Sequence, residues 1–449
     1  MAGNRSQWSN PFFFILASTG AAVGLGNIWR FPYLAGVNGG GAFVLVYIFS
    51  IAIIALPLFV GELYIGQTSQ KNTVSAFEAL HKKGSCWQGV GIMAIIAAIL
   101  ILSFYSVVGG WVLDFFYRSL VNEFGRAEGA DQIKMIMTNL FASPGRQLFW
   151  HSIFMLLTAG IVVGGVEKGL ERWNKVLMPS LFVLLLGLLL RALFLEGAPE
   201  AFSFLFKPDF SKLTGRSVLE AVGQAFFSLG LAMGIVITFG SYFKREEKIL
   251  SVAITVSILD TLIALLAGIV VFSVVYTYGF KADSGPTLIF QTLPVLFAKM
   301  PGGYFVAVAF FLLVTFAAIT SAMSLLEVVI TFWIETFNTK RMKATIVVST
   351  IVFVLGIFCA LSFNVLSSFT IFGFTVFDLF DKVSSSVLLP LGGLLTALFM
   401  GWVLGPKVFS HVLGDKGVKK YISFVYLWSM RVLAPIALTI ILVKGLLDF

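Results

Sequence analysis

The sequence predicts an all-α membrane protein of about eleven transmembrane helices, arranged as a five-plus-five inverted repeat with helices one and six broken. Three observations carry that expectation: a scarcity of charge, a succession of apolar runs, and two glycine interruptions about 200 residues apart. The chain has 449 residues, enough for two or three soluble domains. Yet 58% of them are hydrophobic, only 12% are charged, and the mean hydropathy is +0.97. Soluble domains carry about 25% charged residues. So few charges could not cover a water-facing surface of this size, so lipid must be the solvent for most of the chain.

Composition excludes other classes. Two cysteines, Cys86 and Cys359, are too few for a disulfide framework or a zinc ribbon. His81, His151 and His411 lack metal-ligand spacing. No nucleophile–base pair and no organic cofactor motif stands out, so an enzyme is not expected. The net charge of +9 reads as basic loops on one side of a membrane and not as nucleic-acid binding. The 43 glycines suit helices that pack closely in lipid. Residues 1–10 are polar, and the apolar stretch after them is interrupted by Gly, Asn and Arg. It reads as a first membrane segment and not as a cleaved signal.

Runs of roughly 20 residues or more can span the hydrocarbon layer. They are expected at 11–36, 41–69, 88–120, 149–166, 174–195, 220–242, 249–279, 303–337, 344–363, 369–404 and 420–446. Two long breaks lie at 121–148 and 196–219, and 284–300 reads as a re-entrant or surface hairpin. The organisation expected is a cytoplasmic segment 1–10, a first repeat 11–195, an extracellular connection 196–219, a second repeat 220–404, and 405–449 holding a cytoplasmic loop and helix eleven. Placing the N-terminus in the cytoplasm collects Arg5, Lys71, Lys82, Lys83, Lys168, Arg172, Lys175, Lys244, Arg245, Lys248, Lys340, Arg341, Lys343 and four lysines of 407–420 on that side. This is the larger share of the basic residues, and it leaves the C-terminus outside.

The first interruption is Ser18-Thr19-Gly20-Ala21-Ala22-Val23-Gly24-Leu25-Gly26-Asn27, and the second is Ser228-Leu229-Gly230-Leu231-Ala232-Met233-Gly234. Glycine costs roughly 1 kcal/mol in a helix interior, and lipid cannot satisfy freed backbone groups. A matched pair of such breaks points to an inverted repeat with a binding site between them. An unwound stretch offers amides, aided by the positive end of the next half-helix, to a carboxylate. Its carbonyls suit a hard cation. An amino-acid zwitterion carries one group for each.

The segment Gly24-Leu25-Gly26-Asn27-Ile28-Trp29-Arg30-Phe31-Pro32-Tyr33, followed by Asn38-Gly39-Gly40-Gly41-Ala42-Phe43, is highly specific. It resembles the first-helix signature of the neurotransmitter:sodium symporter family, sodium-coupled transporters of amino acids and amines. The resemblance runs from Arg5 through Glu335 and more loosely to the end. A stop after helix eleven is similar to the shorter bacterial amino-acid transporters.

The resemblance implies a first sodium site from Ala22, Asn27, Ser228 and Asp260, where the family commonly has Asn in place of Asp260. Chloride-dependent members use a Ser one helical turn later, and Ala264 stands there. Tyr47, Gln224 and Ser228 could still meet an anion, but an ionised Asp260 would supply the negative charge itself. Sodium coupling without chloride is therefore expected. A second sodium site would use the carbonyls of Gly20, Val23 and Ala317 with the hydroxyls of Thr320 and Ser321. Thr-Ser in a membrane helix otherwise bonds back to its own carbonyls.

For the substrate, the resemblance implies amides of Leu25 and Gly26 and the Tyr105 hydroxyl for the carboxylate. Carbonyls of Ala22, Phe227 and Ser228 would face the ammonium. The side-chain pocket would be lined by Ile101, Tyr105, Phe227, Gly230, Met233, Ser321 and Leu325. Gly230 and the flexible Met233 make it roomy, favouring neutral, bulky, hydrophobic L-amino acids. Outer gating would pair Arg30 with Asp381 above Tyr105 and Phe227. Inner gating would pair Arg5 with Glu335 beside Trp8 and Tyr242.

The function expected is sodium-coupled import by alternating access, with two sodium ions and a monomer or weak homo-oligomer in the plasma membrane. A channel, a non-transporting amino-acid sensor and a proton-coupled transporter on the same fold stay open as alternatives. The roles of the intramembrane acids Glu62, Asp114 and Glu327 are left open too.

Overall fold

A computed structural model describes residues 7–280, 288–413 and 418–447. Among these the chain is helical throughout. No strand forms; an isolated bridge joins Ile371 and Phe374. Eight helices are long and apolar enough to cross a membrane. The bent pair Pro11–Ala22 and Gly26–Val37, at 53°, makes up to nine. Two expected spans do not meet that measure. Pro144–Val162 carries Arg146, Gln147 and His151 in its first two turns. The sixth is divided into Gly215–Ser228 and Ile235–Gly240. The remaining spans fall where the apolar runs lie, with one clear shift. Thr375 caps a helix that starts at Val376 and not at 369, its hydroxyl accepting from the Asp378 amide.

Burial separates centre from rim. The helices Gln88–Leu120, Ile249–Thr277 and Gly303–Phe337 have two thirds or more of their apolar windows buried, against 17% for Lys420–Leu447. The first group forms the packed middle around the two breaks, and the last lies on the periphery.

Local chemistry sets the ends. Asn10 caps Pro11–Ala22 by accepting from the Phe12 amide at 2.6 Å, with Pro11 in the first turn. Thr214 and Ser217 form a reciprocal box at the start of Gly215–Ser228. The Gly41–Ser69 helix is entered through Gly40 at φ +72°, where a Cβ would stand 2.3 Å from the Phe204 carbonyl. Only glycine permits that approach to the short helix Ala198–Phe206. The connection expected at 284–300 holds the short apolar helix Ile289–Lys299.

Buried acids each have an answer. Asp114, 1% exposed, accepts from Arg118 Nε at 3.0 Å and Arg146 Nε at 2.9 Å, and Arg118 also pairs with Glu123. This cluster ties Gln88–Leu120 to the start of Pro144–Val162. Glu327, fully buried, pairs with Arg341, whose Nε donates to the Val162 carbonyl at 3.0 Å. It accepts as well from the Tyr242 hydroxyl at 2.7 Å. That network joins Gly303–Phe337, Arg341–Leu361, the end of Pro144–Val162 and the end of the sixth span.

Removing one member of a buried charge cluster leaves the others unpaired, at a cost of about 3 kcal/mol. Asp114→Ala is expected to lower the melting temperature of the detergent-solubilised protein by several degrees. An unchanged melting curve would show that Arg118 and Arg146 do not depend on it.

Candidate functional site

The two breaks face each other. The first helix stops at Ala22, Val23 is extended (φ −75°, ψ 102°), and helical geometry resumes at Gly26. The second break runs from Leu229 to Gly234, with left-handed φ at Gly230 (+64°), Ala232 (+61°) and Gly234 (+75°). Ala232 is unusual there, since a Cβ costs about 1–2 kcal/mol in that region. Glu62 holds it: one carboxylate oxygen accepts from the Ala232 amide at 2.8 Å. Sequence reading left Glu62 without a role; the signal is its position in an otherwise apolar helix.

A small cavity lies between the breaks. Its lining includes Ala22, Leu25, Gly26, Ile101, Tyr105, Phe227, Gly230, Met233, Ser321 and Leu325, all expected from the sequence. Ala21, Gly24 and Ile235 line it too and were missed as lining, although Ala21 and Gly24 lie in the first interruption and Ile235 follows Gly234. Ser228 is not in the wall. It lies behind it, with its hydroxyl donating to Asp260 Oδ2 at 2.6 Å. The lining contains no carboxylate and no cation. The buried Tyr105 hydroxyl meets the hydrogen-bond geometry with no partner among the described residues and lies 3.2 Å from where a Cβ on Gly24 would stand. A Cβ on Gly230 would meet only Ile235 Cδ1, at 3.6 Å.

Behind the cavity, Asn27, Ser228 and Asp260 converge. Asn27 Nδ2 donates to Asp260 Oδ1 at 2.7 Å and to Ser228 Oγ at 3.1 Å. Tyr47 donates to Asp260 Oδ2 at 3.4 Å, and Ala264 is buried beside them on the same helix. Asn27 Oδ1 receives the Gly24 amide at 3.3 Å. The Asn27 side chain thus ties the first break to Ser228 and Asp260, two further oxygen-bearing side chains. Gln224 is drawn elsewhere: its Nε2 donates to the Gly26 carbonyl at 2.9 Å.

The second expected cation position is formed in part. Ser321 Oγ lies 3.2 Å from the Ala21 carbonyl and 3.4 Å from that of Val23. Thr320 instead turns back to its own helix, donating to the carbonyls of Phe316 and Ala317 at 3.1 and 3.0 Å. Gly20 packs on Asn174 and Met178, its absent Cβ leaving room for Asn174 Oδ1.

In this structure the expected outer pair is apart. Arg30 and Asp381 make no ion pair within 4 Å; the guanidinium instead lies over the Phe227 ring, 4.5 Å from its centroid. The vestibule above, lined by Arg30, Glu220 and Lys444 among others, is open here. At the opposite end the Tyr242 hydroxyl bonds Glu327 and Thr331 and is not given to Glu335. Glu335 accepts from the Asn72 amide and side chain at 2.9 and 2.8 Å. Trp8 closes this end, with Nε1 donating to the Phe239 carbonyl at 3.2 Å and its ring against Phe14, Phe239 and Tyr242. Arg5 lies outside the described residues.

A bundle of apolar helices enclosing a small cavity between two unwound, hydrogen-bonded breaks has the architecture of a secondary transporter. The whole chain matches the model of the sodium:neurotransmitter symporter family, over residues 5–135 and 131–449, and it belongs to that family. It is 36% identical to an uncharacterized sodium-dependent transporter, YhdH, of Bacillus subtilis over 446 residues, 99% of this chain and 98% of that one. It is 35% identical to an uncharacterized sodium-dependent transporter of Haemophilus influenzae, covering 98% of each. The bovine sodium-dependent dopamine transporter is 30% identical over 461 residues, 91% of this chain and 64% of that one. Among solved structures, that of MhsT in complex with L-phenylalanine matches with a TM-score of 0.89 and 41% identity, over 98% of this chain and 100% of that one. The protein is a multi-pass sodium-dependent membrane transporter and not an enzyme.

Gly24 has no room for a side chain. Its Cβ would stand 2.5 Å from Ser321 Oγ, displacing the hydroxyl that holds the first break. Gly24→Ala is expected to weaken sodium-dependent substrate binding about ten-fold, roughly the loss of one hydrogen bond. Equilibrium binding at saturating sodium checks it; wild-type affinity would mean the break tolerates a wider turn.

Proposed function

We propose that the protein imports neutral hydrophobic L-amino acids, aliphatic and aromatic, coupled to two sodium ions and independent of chloride. The observation that carries this reading is the cavity's division of chemistry. One end meets unwound backbone and the Tyr105 hydroxyl, while the walls are Ile101, Phe227, Met233, Ile235 and Leu325 with no charged side chain. Amides at Leu25 and Gly26 would hold the carboxylate, with the Tyr105 hydroxyl as a further donor. Carbonyls at the breaks would receive the ammonium. The apolar walls then select a side chain that needs no polar partner. A cationic or anionic side chain would lose its hydration here without compensation. The bound L-phenylalanine of MhsT supports an aromatic amino acid as one such ligand.

Sodium enters as cargo. In the first position, Asp260 balances the cation, with Asn27, Ser228 and the Ala22 carbonyl completing an oxygen cage. The second would use Val23 and Gly20 carbonyls with Ala317, Thr320 and Ser321, after Thr320 rotates from its own helix. Each sodium brought inward releases about 2.3 kcal/mol per 100 mV of inside-negative potential. Because both positions include carbonyls of the broken first helix, filling them favours one arrangement of that helix over others. Alternating access would rock helices one, two, six and seven against three, four, eight and nine. Arg30 and Asp381 would close the outer side, and Arg5 with Glu335 the inner one. The N-terminus would be cytoplasmic and the C-terminus extracellular.

Proteoliposomes with an imposed sodium gradient should accumulate radiolabelled Leu, Ile, Val, Phe, Tyr or Trp, and not Lys or Glu. Accumulation of no neutral amino acid would end the reading, and binding in sodium without accumulation would favour a sensor. Uptake should persist when sodium gluconate replaces sodium chloride. Asp260→Asn should raise the sodium concentration for half-maximal uptake at least about ten-fold, the scale of one lost charge contact. A strong chloride requirement in wild type, or unaltered sodium dependence in the variant, would remove Asp260 from that role.

A further inference from the structure

Arg431 is a cation in a membrane-spanning helix, and among the described residues none supplies it with a counter-charge. It lies within Lys420–Leu447, the most lipid-facing of the spans. No acid occurs in the sequence between Asp381 and Asp415 or between Asp415 and Asp448. Glu62 is the acid of the neighbouring Gly41–Ser69 helix, and it is committed to Ala232. Arg431 forms no ion pair within 4 Å with any described residue. An uncompensated arginine is expensive in hydrocarbon and tolerable at the headgroup boundary, where it meets water or anions.

Three features place and shape it. The first is depth. Arg431 meets the last turns of Val376–Leu404, where that helix leaves the bundle. Trp402 (62% exposed), Trp428 (45%) and Tyr421 (74%) face outward from the same helices. Tryptophan and tyrosine collect at the membrane–water boundary.

The second is fixation. Nε donates to the Gly401 carbonyl at 2.8 Å, and Gly401 lacks the Cβ that would stand 3.0 Å from Arg431 Cγ. Two residues before Arg431, Ser429 donates to the Ile53 carbonyl, locking the same turn to the Gly41–Ser69 helix. The third is what is left over. The guanidinium lies over Trp402, 5.1 Å from the ring centroid. With Nε and the stem fixed, both terminal amino groups keep their donors unspent on protein.

We infer that Arg431 and Trp402 form a site for the phosphodiester headgroup of an anionic phospholipid at the rim between helices ten and eleven. A planar, pre-positioned guanidinium edge matches two phosphate oxygens in a way an ammonium does not. The indole supports the cation from below and borders the first methylenes of the lipid. The site belongs to the lipid-facing rim and has no residue in common with the cavity.

The test is native mass spectrometry of the full-length protein, delipidated and titrated with equimolar phosphatidylglycerol and phosphatidylcholine. Wild type should retain about five-fold more phosphatidylglycerol, the effect of one basic residue at a membrane surface. Arg431→Gln should bind the two lipids equally, and Arg431→Lys should fall between. Trp402→Leu, which keeps the charge, should lower retention and covers the case in which Arg431→Gln does not fold. In a parallel arm, inorganic phosphate at millimolar concentration should not displace the lipid. Displacement would show that the site takes the free ion and would overturn the lipid assignment. Equal retention of both lipids by wild type, or undiminished preference in Arg431→Gln, would overturn the site altogether.

Discussion

Everything at the centre of this protein follows from the absence of water to satisfy a broken helix. Two helices stop in mid-bundle, and each stop frees backbone groups that lipid cannot serve. The structure answers them with side chains from other helices. Ser321 reaches the carbonyls of Ala21 and Val23, and Gln224 donates to that of Gly26. Asn27 accepts from the Gly24 amide, and Glu62 accepts from Ala232.

The same constraint governs charge. Asp114, Glu327 and Asp260 are all buried, yet they are compensated differently. Asp114 and Glu327 have arginines and hold helices together. Asp260 has only neutral partners, Asn27, Ser228 and Tyr47. A buried carboxylate without a cation is costly, and of these three it alone abuts the breaks. That contrast separates a scaffold charge from one suited to a transported ion.

The cavity was legible because its walls are set by local sequence. Glycine interruptions mark where the backbone breaks, and the resemblance carried by the first-helix signature places Ile101, Tyr105, Met233 and Leu325 around it. Partner choice was less legible. Tyr242 was expected beside Glu335 but goes to Glu327 and Thr331, because Arg341, arriving from the next helix, holds that carboxylate within its reach. Arg30 was matched to Asp381 through the resemblance, yet in this conformation the guanidinium lies over the face of Phe227. Such pairings depend on how far apart two helices stand in one conformation, and no residue spacing records that. The helix starting at Val376 was misplaced for a simpler reason: residues 369–374 are apolar but form turns and a bridge.

Gly230 carries a consequence for how the substrate range can change over evolution. A Cβ at Gly230 would make only an ordinary contact with Ile235, so a small side chain there would narrow the cavity without a clash. Its backbone, at φ +64°, resists that change, since a Cβ there is strained whatever the room. The breadth of the cavity is thus protected by a dihedral angle and not by packing. A lineage drifting toward smaller cargo would have to refold the second break first, or work through Met233 and Leu325, where the backbone imposes no such toll.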